Sequence, residues 1–309
     1  MVKSHIMPKI NRHEPVGFIG LGQMGGRIVK HMISNGLSLI VFDKDKKVLN
    51  EFRDIGVNCV TNPSEVVEQV SILFLCLPFT NHVEDVLFGK FGAVKKSRPG
   101  LLVLDMSTIF FDDAQRISIK LKRHKISYCD CPVSGLPARA RSGTLTIMYG
   151  GSQKAYDQAL PYLNIIGDFI VYCGDCGSGQ MMKAFNNIVY NINIAGVSEM
   201  LSLAIKVGLD TKALGRVFTS GSSRSFASEH FVSKMLENNF TGDYPMKAAI
   251  KDIMNVQKAL SGILEEKPLF EGMIKIYDEA MSKGWGKKSK SAMFEVYQEK
   301  YRLASKKKG

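Results

Sequence analysis

The chain has 309 residues, of which 45% are hydrophobic and 23% are charged. This is the composition of a folded globular protein, and it excludes a collagen-like or disordered chain. The length is sufficient for two compact domains, each with its own core. No stretch reaches the roughly 18 uncharged apolar residues of a membrane span, so we expect no membrane association.

The net charge of +12 is concentrated at the C-terminal end. Residues 283–309 contain nine Lys or Arg against two Glu, which is +7 of the total. A basic end of this kind can meet nucleic acid or an anionic surface. Lys306–Lys308 lack interleaved aromatic residues, and the chain carries no nucleic-acid-binding signature, so a solvated terminus is the simpler interpretation. Nucleic acid is therefore not an expected partner.

The cysteines indicate reduced thiols rather than a metal site. Their positions are Cys59, Cys76, Cys129, Cys131, Cys173 and Cys176. Only the last two form a CxxC, and a single CxxC lacks the second pair that a zinc site requires, so we expect no metal. Free thiols are typical of an intracellular enzyme. We expect a cytoplasmic location and leave a mitochondrial one open, because the basic residues before Pro15 weakly resemble a transit peptide.

A nucleotide-binding turn is predicted near the start of the chain. Residues 16–20 form a short apolar run of strand type and lead into Gly20-Leu-Gly-Gln-Met-Gly25, a GxGxxG. A stretch with helical periodicity follows and stops at Asn35-Gly36. In this motif the first glycine allows the tight turn, the second lets the backbone approach a pyrophosphate, and the third permits close helix–strand packing. The helix N-terminus then presents free N–H groups to the phosphates.

The choice between NAD and NADP depends on Asp43, which ends the second predicted strand, Leu37 to Phe42. A carboxylate at this point can hold the ribose hydroxyls of NAD and repel the 2′-phosphate of NADP. Lys44 stands next to it and could favour NADP instead. We expect NAD and leave NADP open.

The N-terminal half continues as an alternation of strands and helices. Further strands are predicted at residues 70–77, 101–105, 127–131 and 144–149. This alternation indicates a doubly wound, mostly parallel Rossmann sheet of the α/β class. Ligands bind beyond the carboxyl ends of the strands in such sheets. Leu77-Pro78 and Ser107-Thr108 therefore fall where a nicotinamide ribose would lie.

The C-terminal half is predicted to be all helical. Gln180 to Val207 contains no Pro and is apolar around almost its whole circumference, which is typical of a long buried helix. We expect this helix to join a Rossmann domain at 15–178 to an all-α domain at 179–309 that serves substrate binding and oligomerisation. Lys183 and Asn187 lie four residues apart on one face of it. From periodicity alone they are either catalytic groups or a snorkelling lysine beside a capping asparagine.

Four separated segments carry a resemblance to a known family. They are residues 17–25 (GFIGLGQMG), 130–135 with 143–146 (DCPVSG and GTLT), 177–187 (GSGQMMKAFNN) and 251–253 (KDI). In order and spacing they resemble the β-hydroxyacid dehydrogenases, which include 3-hydroxyisobutyrate dehydrogenases and tartronate semialdehyde reductases. The resemblance covers about residues 15–300. It implies an NAD(P)-dependent enzyme that oxidises a small β-hydroxy acid or reduces its semialdehyde.

The resemblance also implies roles for particular residues. Lys183 matches the catalytic lysine and Asn187 the substrate-positioning asparagine, while Ser134 and Gly135 match the loop that holds the substrate carboxylate. Lys251 matches a lysine beside the nicotinamide and the substrate. The implied cofactor contacts are Gly20, Leu21, Gly22, Gln23, Met24, Gly25, Asp43, Leu77, Pro78, Thr108 and Lys251. A free lysine is too basic for efficient proton transfer near neutrality, so we expect burial and neighbouring positive charge to lower the pKa of Lys183.

Two departures from the family pattern concern the substrate. The family loop continues Ser-Gly-Gly with another Gly three residues later, where this chain has Leu136 and Arg139. Leu136 is expected to crowd or reshape the pocket, and Arg139 either adds an anion-binding group or points outward. The proline that usually follows Ser-Thr is Phe111 here.

Two alternative functions stay open at this stage. One is reduction of an imine or another carbonyl on the same scaffold, although such relatives typically replace the catalytic lysine. The other is a catalytically silent NAD(P)-binding protein, which the basic tail slightly favours and the intact Lys183, Asn187 and Ser134 oppose. By analogy with other buried helical domains we expect a homodimer or homotetramer. The substrate, the physiological direction and the oligomer are not determined by the sequence.

Overall fold

The structure is a computed structural model that describes residues 14–242, 245–263 and 266–306, with side chains to residue 302. The expectations for the N-terminal basic residues and for Lys307–Lys308 lie outside the described residues, as does the side chain of Lys306. The chain divides into two compact units, residues 1–183 and 184–309. The domain boundary after residue 178 stays a prediction.

The first unit contains one sheet. Its strands are β1 Val16–Ile19, β2 Leu39–Phe42, β3 Asn58–Cys59, β4 Ile72–Leu75, β5 Leu102–Asp105, β6 Ser127–Asp130, β7 Val133–Ser134, β8 Leu145–Gly150 and β9 Gly167–Gly174. The order across the sheet is β3-β2-β1-β4-β5-β6-β8-β7, with β9 paired to β8. The order reverses at β1, which lies between β2 and β4, and this is the point where doubly wound sheets bind ligands.

The pairing is mostly parallel, as the sequence predicts. The pairs among β1 to β6 are parallel, and so is β8 with β9. Two pairs, β6 with β8 and β7 with β8, are antiparallel. The five strands predicted after the glycine turn are all present. Three strands were not predicted from the sequence: β3 and β7, which are only two residues long, and β9, which is largely partly buried or exposed although residues 169–173 are apolar.

Helices cover both faces of this sheet. They are α1 Gly25–Ser34, α2 Lys46–Asp54, α3 Pro63–Val67, α4 Thr80–Phe88, α5 Phe111–Lys122, α6 Pro137–Ser142 and α7 Gln153–Ile166, with a 3₁₀ turn at Ala93–Lys95. Successive residues of a strand enter different cores: Phe18 and Phe74 pack on one face, whereas Ile19 and Leu73 pack on the other. This alternation follows from the two-residue period of a strand. Because both faces are buried, the strands read as continuous apolar runs.

The regular elements described in the second unit are all helices, and its one isolated β-bridge joins Pro245 to Ser289. Its helices are the greater part of α8 Ser178–Lys206, then α9 Thr211–Ser220, α10 Phe226–Leu236, α11 Ile250–Ala259, α12 Pro268–Ser282 and α13 Met293–Lys306. Short 3₁₀ turns lie at Met246–Ala249, Trp285–Lys287 and Lys290–Ala292. The core contains Ile188, Ile194 and Leu201 of α8 together with Phe231 and Tyr277. An all-helical C-terminal region joined to the sheet by a long helix is therefore confirmed.

The long helix α8 is only half buried, which differs from the fully buried helix that its composition predicts. One side packs in the core, while Val189 is 59% and Met200 46% exposed on the other. A stretch of α8 is also long and apolar enough to cross a membrane, with mean hydropathy 1.4, although half of that stretch is buried inside the protein. A single helix of this kind is weak evidence for a span, because the core helix of a globular protein has the same properties.

Candidate active site

The glycine turn between β1 and α1 has the geometry that a dinucleotide cradle needs. Gly20 has φ of +100°, and a Cβ built there would lie 2.3 Å from the carbonyl oxygen of Cys76. A Cβ at Gly25 would lie 1.9 Å from the carbonyl oxygen of Gly20. A Cβ at Gly22 would meet nothing within 4 Å. Gly20 and Gly25 are thus required by the turn itself, whereas Gly22 leaves open the space through which a pyrophosphate can approach the backbone.

This difference predicts opposite effects for two alanine substitutions. Gly22→Ala should leave the melting temperature nearly unchanged and weaken dinucleotide binding by about tenfold or more, because the new methyl group occupies the phosphate approach. Gly25→Ala is the matched control, and it should lower the melting temperature because its Cβ collides with backbone. Calorimetric titration and thermal denaturation check both. Undiminished dinucleotide binding by Gly22→Ala would show that the phosphates lie elsewhere.

Asp43 connects the end of β2 to the glycine turn. Its Oδ2 accepts a hydrogen bond from the Leu21 backbone N–H at 2.6 Å, and its Oδ1 accepts one from Asp45 N–H at 2.8 Å. The Leu21 side chain is buried in the core, so its part in the site is this backbone bond. A carboxylate oxygen can accept more than one hydrogen bond. Asp43 can therefore hold the turn and still accept a ribose hydroxyl.

A cavity of about 630 Å³ lies beside this turn at the carboxyl ends of β1, β2 and β4. Most of the cofactor residues predicted for the first unit line it: Gly20, Gly22, Gln23, Met24, Gly25, Asp43, Leu77 and Pro78. Thr108 does not line it and lies in the loop after β5. The remaining wall comes from residues that the sequence analysis missed, among them Thr61, Asn62, His82, Lys90 and Phe91. Their contribution depends on strand order, which places the loops after β3 and β4 on either side of β1's turn.

The cavity wall also contains positive charge. Lys44 and Lys90 line it together with His82, Asp43 and Asp85. Lys44 Nζ lies 3.5 Å from His82 Nε2. Cations at this end of the cavity could receive a 2′-phosphate, whereas Asp43 would repel it. The wall therefore fits either dinucleotide.

The start of α8 is held by a carboxylate from the sheet. Asp130 is the last residue of β6 and is fully buried, and its two oxygens accept backbone hydrogen bonds from Gly177 and Gln180, each at 2.7 Å. Burial raises the pKa of Asp130 to about 6, and the two backbone bonds partly oppose this shift. A Cβ at Gly179 would lie 2.4 Å from the Met148 carbonyl oxygen, so the helix start is closely fitted to the sheet. Asp130 belongs to one of the motifs that resemble the family, but no local pattern in the sequence indicates this role.

Gln180 links the start of α8 to the loop after β5. Its Nε2 donates to the Ser107 carbonyl oxygen at 2.8 Å, and its Oε1 accepts from Ile109 N–H at 3.2 Å. Ser107 Oγ in turn accepts a hydrogen bond from Leu77 N–H at 2.8 Å. The loops that carry Leu77 and Thr108 are thereby tied to α8. Lys183 follows Gln180 by three residues, so it lies on the same side of the helix, where it is half-buried.

The predicted carboxylate loop begins in β7. Ser134 pairs with Thr146 of β8, and Gly135 has φ of +143°. A Cβ at Gly135 would lie 2.9 Å from Leu145 Cδ2, so glycine is required at this position. The structure thus accounts for the glycine at position 135.

The two departures in this loop have different outcomes. Arg139 Nη2 forms an ion pair with Asp168 Oδ1 at 3.2 Å, and both side chains are substantially exposed. Arg139 therefore points outward, which was one of the two alternatives. Leu136 precedes α6 with φ of −76°, a conformation open to any residue, and it is half-buried. Loss of glycine at this position costs no backbone strain.

In the second unit, Asn187 is held by a buried acid. Asn187 Nδ2 donates to Asp252 Oδ2 at 2.9 Å. Lys251 precedes Asp252 on α11, and burial lowers its pKa, while Asp252 partly opposes that shift. One turn further along α8, buried Asn191 accepts hydrogen bonds from Tyr277 and from Lys290 Nζ, the latter at 2.8 Å. The face of α8 that carries Lys183 and Asn187 thus continues into a polar network, and the sequence analysis missed Lys290.

The cysteines and the acidic residues that the structure describes are not grouped as a metal centre. Within the described ranges, no three His, Cys, Asp or Glu side chains are grouped so as to hold an ion. All six cysteines are free. Burial raises the pKa of Cys173 to about 11 and raises that of Cys176 further, so both are thiols near neutrality. The CxxC therefore has the properties of structural cysteines.

Comparison with known proteins identifies the family. Residues 15–174 match the NAD binding domain of 6-phosphogluconate dehydrogenase, and residues 177–297 match the NAD-binding domain of NADP-dependent 3-hydroxyisobutyrate dehydrogenase. The chain belongs to the β-hydroxyacid dehydrogenase family. It is an NAD(P)-dependent oxidoreductase of hydroxy acids, as the resemblance of its motifs predicts.

Individual relatives match this chain along nearly their whole length. A protein of Dictyostelium discoideum named probable mitochondrial 3-hydroxyisobutyrate dehydrogenase is 34% identical and covers 93% of this chain and 92% of its own. The 2-(hydroxymethyl)glutarate dehydrogenase of Eubacterium barkeri is 29% identical, with 92% of this chain and 95% of its own covered. The crystal structure of a 3-hydroxyisobutyrate dehydrogenase from Salmonella typhimurium superposes with a TM-score of 0.82 at 25% identity, over 91% of this chain and 99% of that one.

Proposed function

We propose that this β-hydroxyacid dehydrogenase interconverts a small β-hydroxy acid and its semialdehyde, with Lys183 as the general acid/base. The substrates that we propose are of the 3-hydroxyisobutyrate, tartronate semialdehyde or succinic semialdehyde type. The observation that carries the proposal is the Gln180 clamp, which ties the loop after β5, and through Ser107 the cavity residue Leu77, to the helix turn that presents Lys183. The clamp supports the proposal because it fixes the position of Lys183 relative to a loop that contacts the cofactor cavity.

The bound nicotinamide would supply or accept the hydride. The protein has to move one proton at the substrate oxygen and hold the substrate in line. In oxidation Lys183 accepts the hydroxyl proton, and in reduction it returns that proton to the carbonyl oxygen. Ser134 and the backbone at Gly135 hold the carboxylate, and Asn187, fixed by Asp252, orients the substrate. Lys251, whose pKa is lowered by burial, matches the family's lysine beside the nicotinamide and the substrate.

This function is tested with a panel of hydroxy acids and semialdehydes of three to five carbons. The hydroxy acids are assayed with NAD⁺ and NADP⁺, and the semialdehydes with NADH and NADPH. Turnover of at least one member that requires Lys183 supports the proposal. Turnover of imines without turnover of any acid would favour the imine reductase alternative. Tight dinucleotide binding with no turnover of any carbonyl or imine would favour the silent binding protein.

We propose NAD as the preferred cofactor, because Asp43 lies at the cavity wall and its carboxylate repels a 2′-phosphate. Calorimetric titration should show tighter binding of NADH than of NADPH. Asp43→Asn keeps an acceptor for the glycine turn and removes the charge. It should therefore reduce the ratio of the NADPH dissociation constant to the NADH dissociation constant by about tenfold. Lys44→Met removes a positive charge instead, and it should increase the same ratio of dissociation constants. Equal or tighter NADPH binding by the unmodified chain would overturn the role given to Asp43.

Leu136 is proposed to narrow the substrate pocket relative to the family pattern. Since its φ of −76° is ordinary and its side chain is half-buried, the effect of Leu136 is one of volume rather than backbone strain. Leu136→Gly should therefore shift kcat/KM toward bulkier hydroxy acids, by roughly tenfold for each methylene group accommodated. Arg139→Gly is the matched control and should leave the substrate profile unchanged, because Arg139 pairs outward with Asp168. An unaltered profile for folded Leu136→Gly would show that Leu136 faces away from the substrate.

We propose a homodimer or homotetramer that works in the cytoplasm, with neither nucleic acid nor membrane as a partner. The exposed apolar side chains of α8 support association between copies of the chain. Light scattering of the purified protein tests the assembly. Fractionation of the source cells distinguishes the cytoplasm from the mitochondrion, which is the location in the name of the Dictyostelium relative.

A further inference from the structure

A second cavity of about 550 Å³ lies in the first unit on the outer side of α1. One face of α1 forms its floor with Arg27, Lys30 and His31, because these residues recur at the spacing of a helix turn. Glu51 and Phe52 of α2 form one wall, and Arg141 of α6 forms the other. Leu21 and Gly22 of the glycine turn close one end. Gly22 is shared with the cofactor cavity, so the two cavities meet at this residue.

The charges around this cavity are not balanced. Arg27, Lys30 and Arg141 line it with a single carboxylate, that of Glu51. Within the ranges that the structure describes, none of the three cations forms an ion pair with a carboxylate. Two other arginines of the same unit are paired, Arg116 with Glu84 and Asp113 and Arg139 with Asp168. Three unneutralised cations that converge on one concave surface create a positive potential that favours an anion.

The Arg27 guanidinium has an N–H donor that no acceptor among the described residues satisfies. Its Nη1 donates to the Gln23 carbonyl oxygen, while its Nε is buried and has no acceptor among the described residues. A buried donor without an acceptor is costly, and an anionic oxygen would relieve that cost. A guanidinium can bind phosphate or carboxylate through two parallel N–H groups. Lys30 Nζ lies 5.4 Å from the Phe52 ring centre, which leaves the ammonium at the cavity edge.

The cavity joins the two parts of the proposed active site within the first unit. Arg27 holds the Gln23 carbonyl, and Gln23 lines the cofactor cavity. Arg141 lies on α6, the helix that follows the Ser134-Gly135 loop. His31 abuts the turn at the end of α6, since a Cβ at Gly143 would lie 2.1 Å from His31 Nε2. An occupant held by Arg27 and Arg141 together would therefore bridge the cofactor turn and the substrate loop.

We propose that this cavity is a regulatory site for a small polyanion that carries phosphate or carboxylate groups, and that its occupation changes the affinity for the dinucleotide. The size is within the range of small-molecule pockets. Coupling follows because the occupant and the cofactor contact the same glycine turn, and such coupling is reciprocal. The regulatory role rests on the proposed dehydrogenase function, whereas the binding itself does not.

Binding is measured with the full chain saturated with NADH, so that the cofactor's own phosphate cradle is filled. Pyrophosphate and citrate are titrated separately by calorimetry, which distinguishes phosphate from carboxylate recognition. We expect at least one to bind, and we expect Arg27→Met/Arg141→Met to weaken that binding by about tenfold or more. Arg98→Met/Arg123→Met removes the same charge from exposed positions outside both cavities and should change the affinity less than twofold.

The coupling is measured by titrating NADH with and without the anion that binds. We expect the dissociation constant of NADH to change severalfold for the unmodified chain and not for Arg27→Met/Arg141→Met. Lys183→Ala should keep the anion binding, which separates this site from the catalytic proposal. Failure of both anions to bind the NADH-saturated protein, equal loss in the control pair, or binding without any effect on NADH would overturn the proposal.

Discussion

Replacing Lys183 with alanine is expected to lower kcat by about 10²- to 10⁴-fold, which is the usual contribution of a general acid/base. NADH affinity should stay within about twofold of the unmodified value, because the cofactor cavity is formed by the turns after β1, β2, β3 and β4 and does not include Lys183. Stopped-flow and steady-state kinetics, together with calorimetric titration of NADH, measure the two effects separately.

The matched variant is Lys183→Arg. It keeps the positive charge and the length, yet a guanidinium cannot release its proton near neutrality, so its kcat should be nearly as low as that of the alanine variant. The pH profile of kcat/KM for oxidation should show one ionisation in the unmodified enzyme that both variants lack. Wild-type turnover by Lys183→Ala would exclude Lys183 as the proton-transfer group.

Asp130→Asn is expected to have the second largest effect, because Asp130 fixes the start of the helix that carries Lys183. An asparagine has one carbonyl oxygen, so it can serve only one of the two N–H groups, of Gly177 and Gln180, that the carboxylate accepts. Its NH₂ group would then face the other N–H. A buried donor left without an acceptor costs about 1–3 kcal/mol, which thermal or urea denaturation would detect.

A positioning role requires an effect on catalysis as well. Among folded molecules, Asp130→Asn should lower kcat by about tenfold or more, because the start of α8 and with it Lys183 would shift. The dissociation constant of NADH should change little, because the glycine turn stays intact. Asp54→Asn, an exposed acid at the end of α2, is the control. Reduced stability with unchanged kcat per folded molecule would make Asp130 a structural residue only.

The pH dependence of stability gives a separate test of Asp130. Its pKa is raised from 3.8 to about 6 in the folded state, so the folded protein binds this proton more tightly than the unfolded chain does. The contribution of Asp130 therefore favours folding fully below about pH 4 and is lost as the pH rises toward 6. Asp130→Asn should lack this component, so the free-energy difference between the two proteins should narrow from pH 4 to pH 6. A gap that widens over this interval would contradict the raised pKa.

The sequence by itself determined the parts of the molecule that depend on neighbours along the chain. The strand, glycine turn and helix of residues 16–34 follow from a local apolar run, from the positive φ at Gly20 and from the cap at Asn35. The long α8 follows from an uninterrupted apolar stretch without proline. Periodicity and backbone sterics act over a few residues, so they can be predicted from the sequence without knowledge of the tertiary structure. The family resemblance then supplied roles for Lys183 and Asn187 that periodicity left open.

The tertiary structure decided which distant residues meet. Asp130 reaches Gly177 and Gln180 across about 50 positions, and Arg139 pairs with Asp168 instead of entering the pocket. These contacts depend on which strands are neighbours and on where each loop leaves the sheet, and local patterns do not encode either. The same is true of the cavity on α1, where Arg27 and Arg141 converge from helices more than a hundred residues apart. Convergence of charge is a property of the folded surface, because only the packing of α1 against α6 brings those two side chains to one cavity.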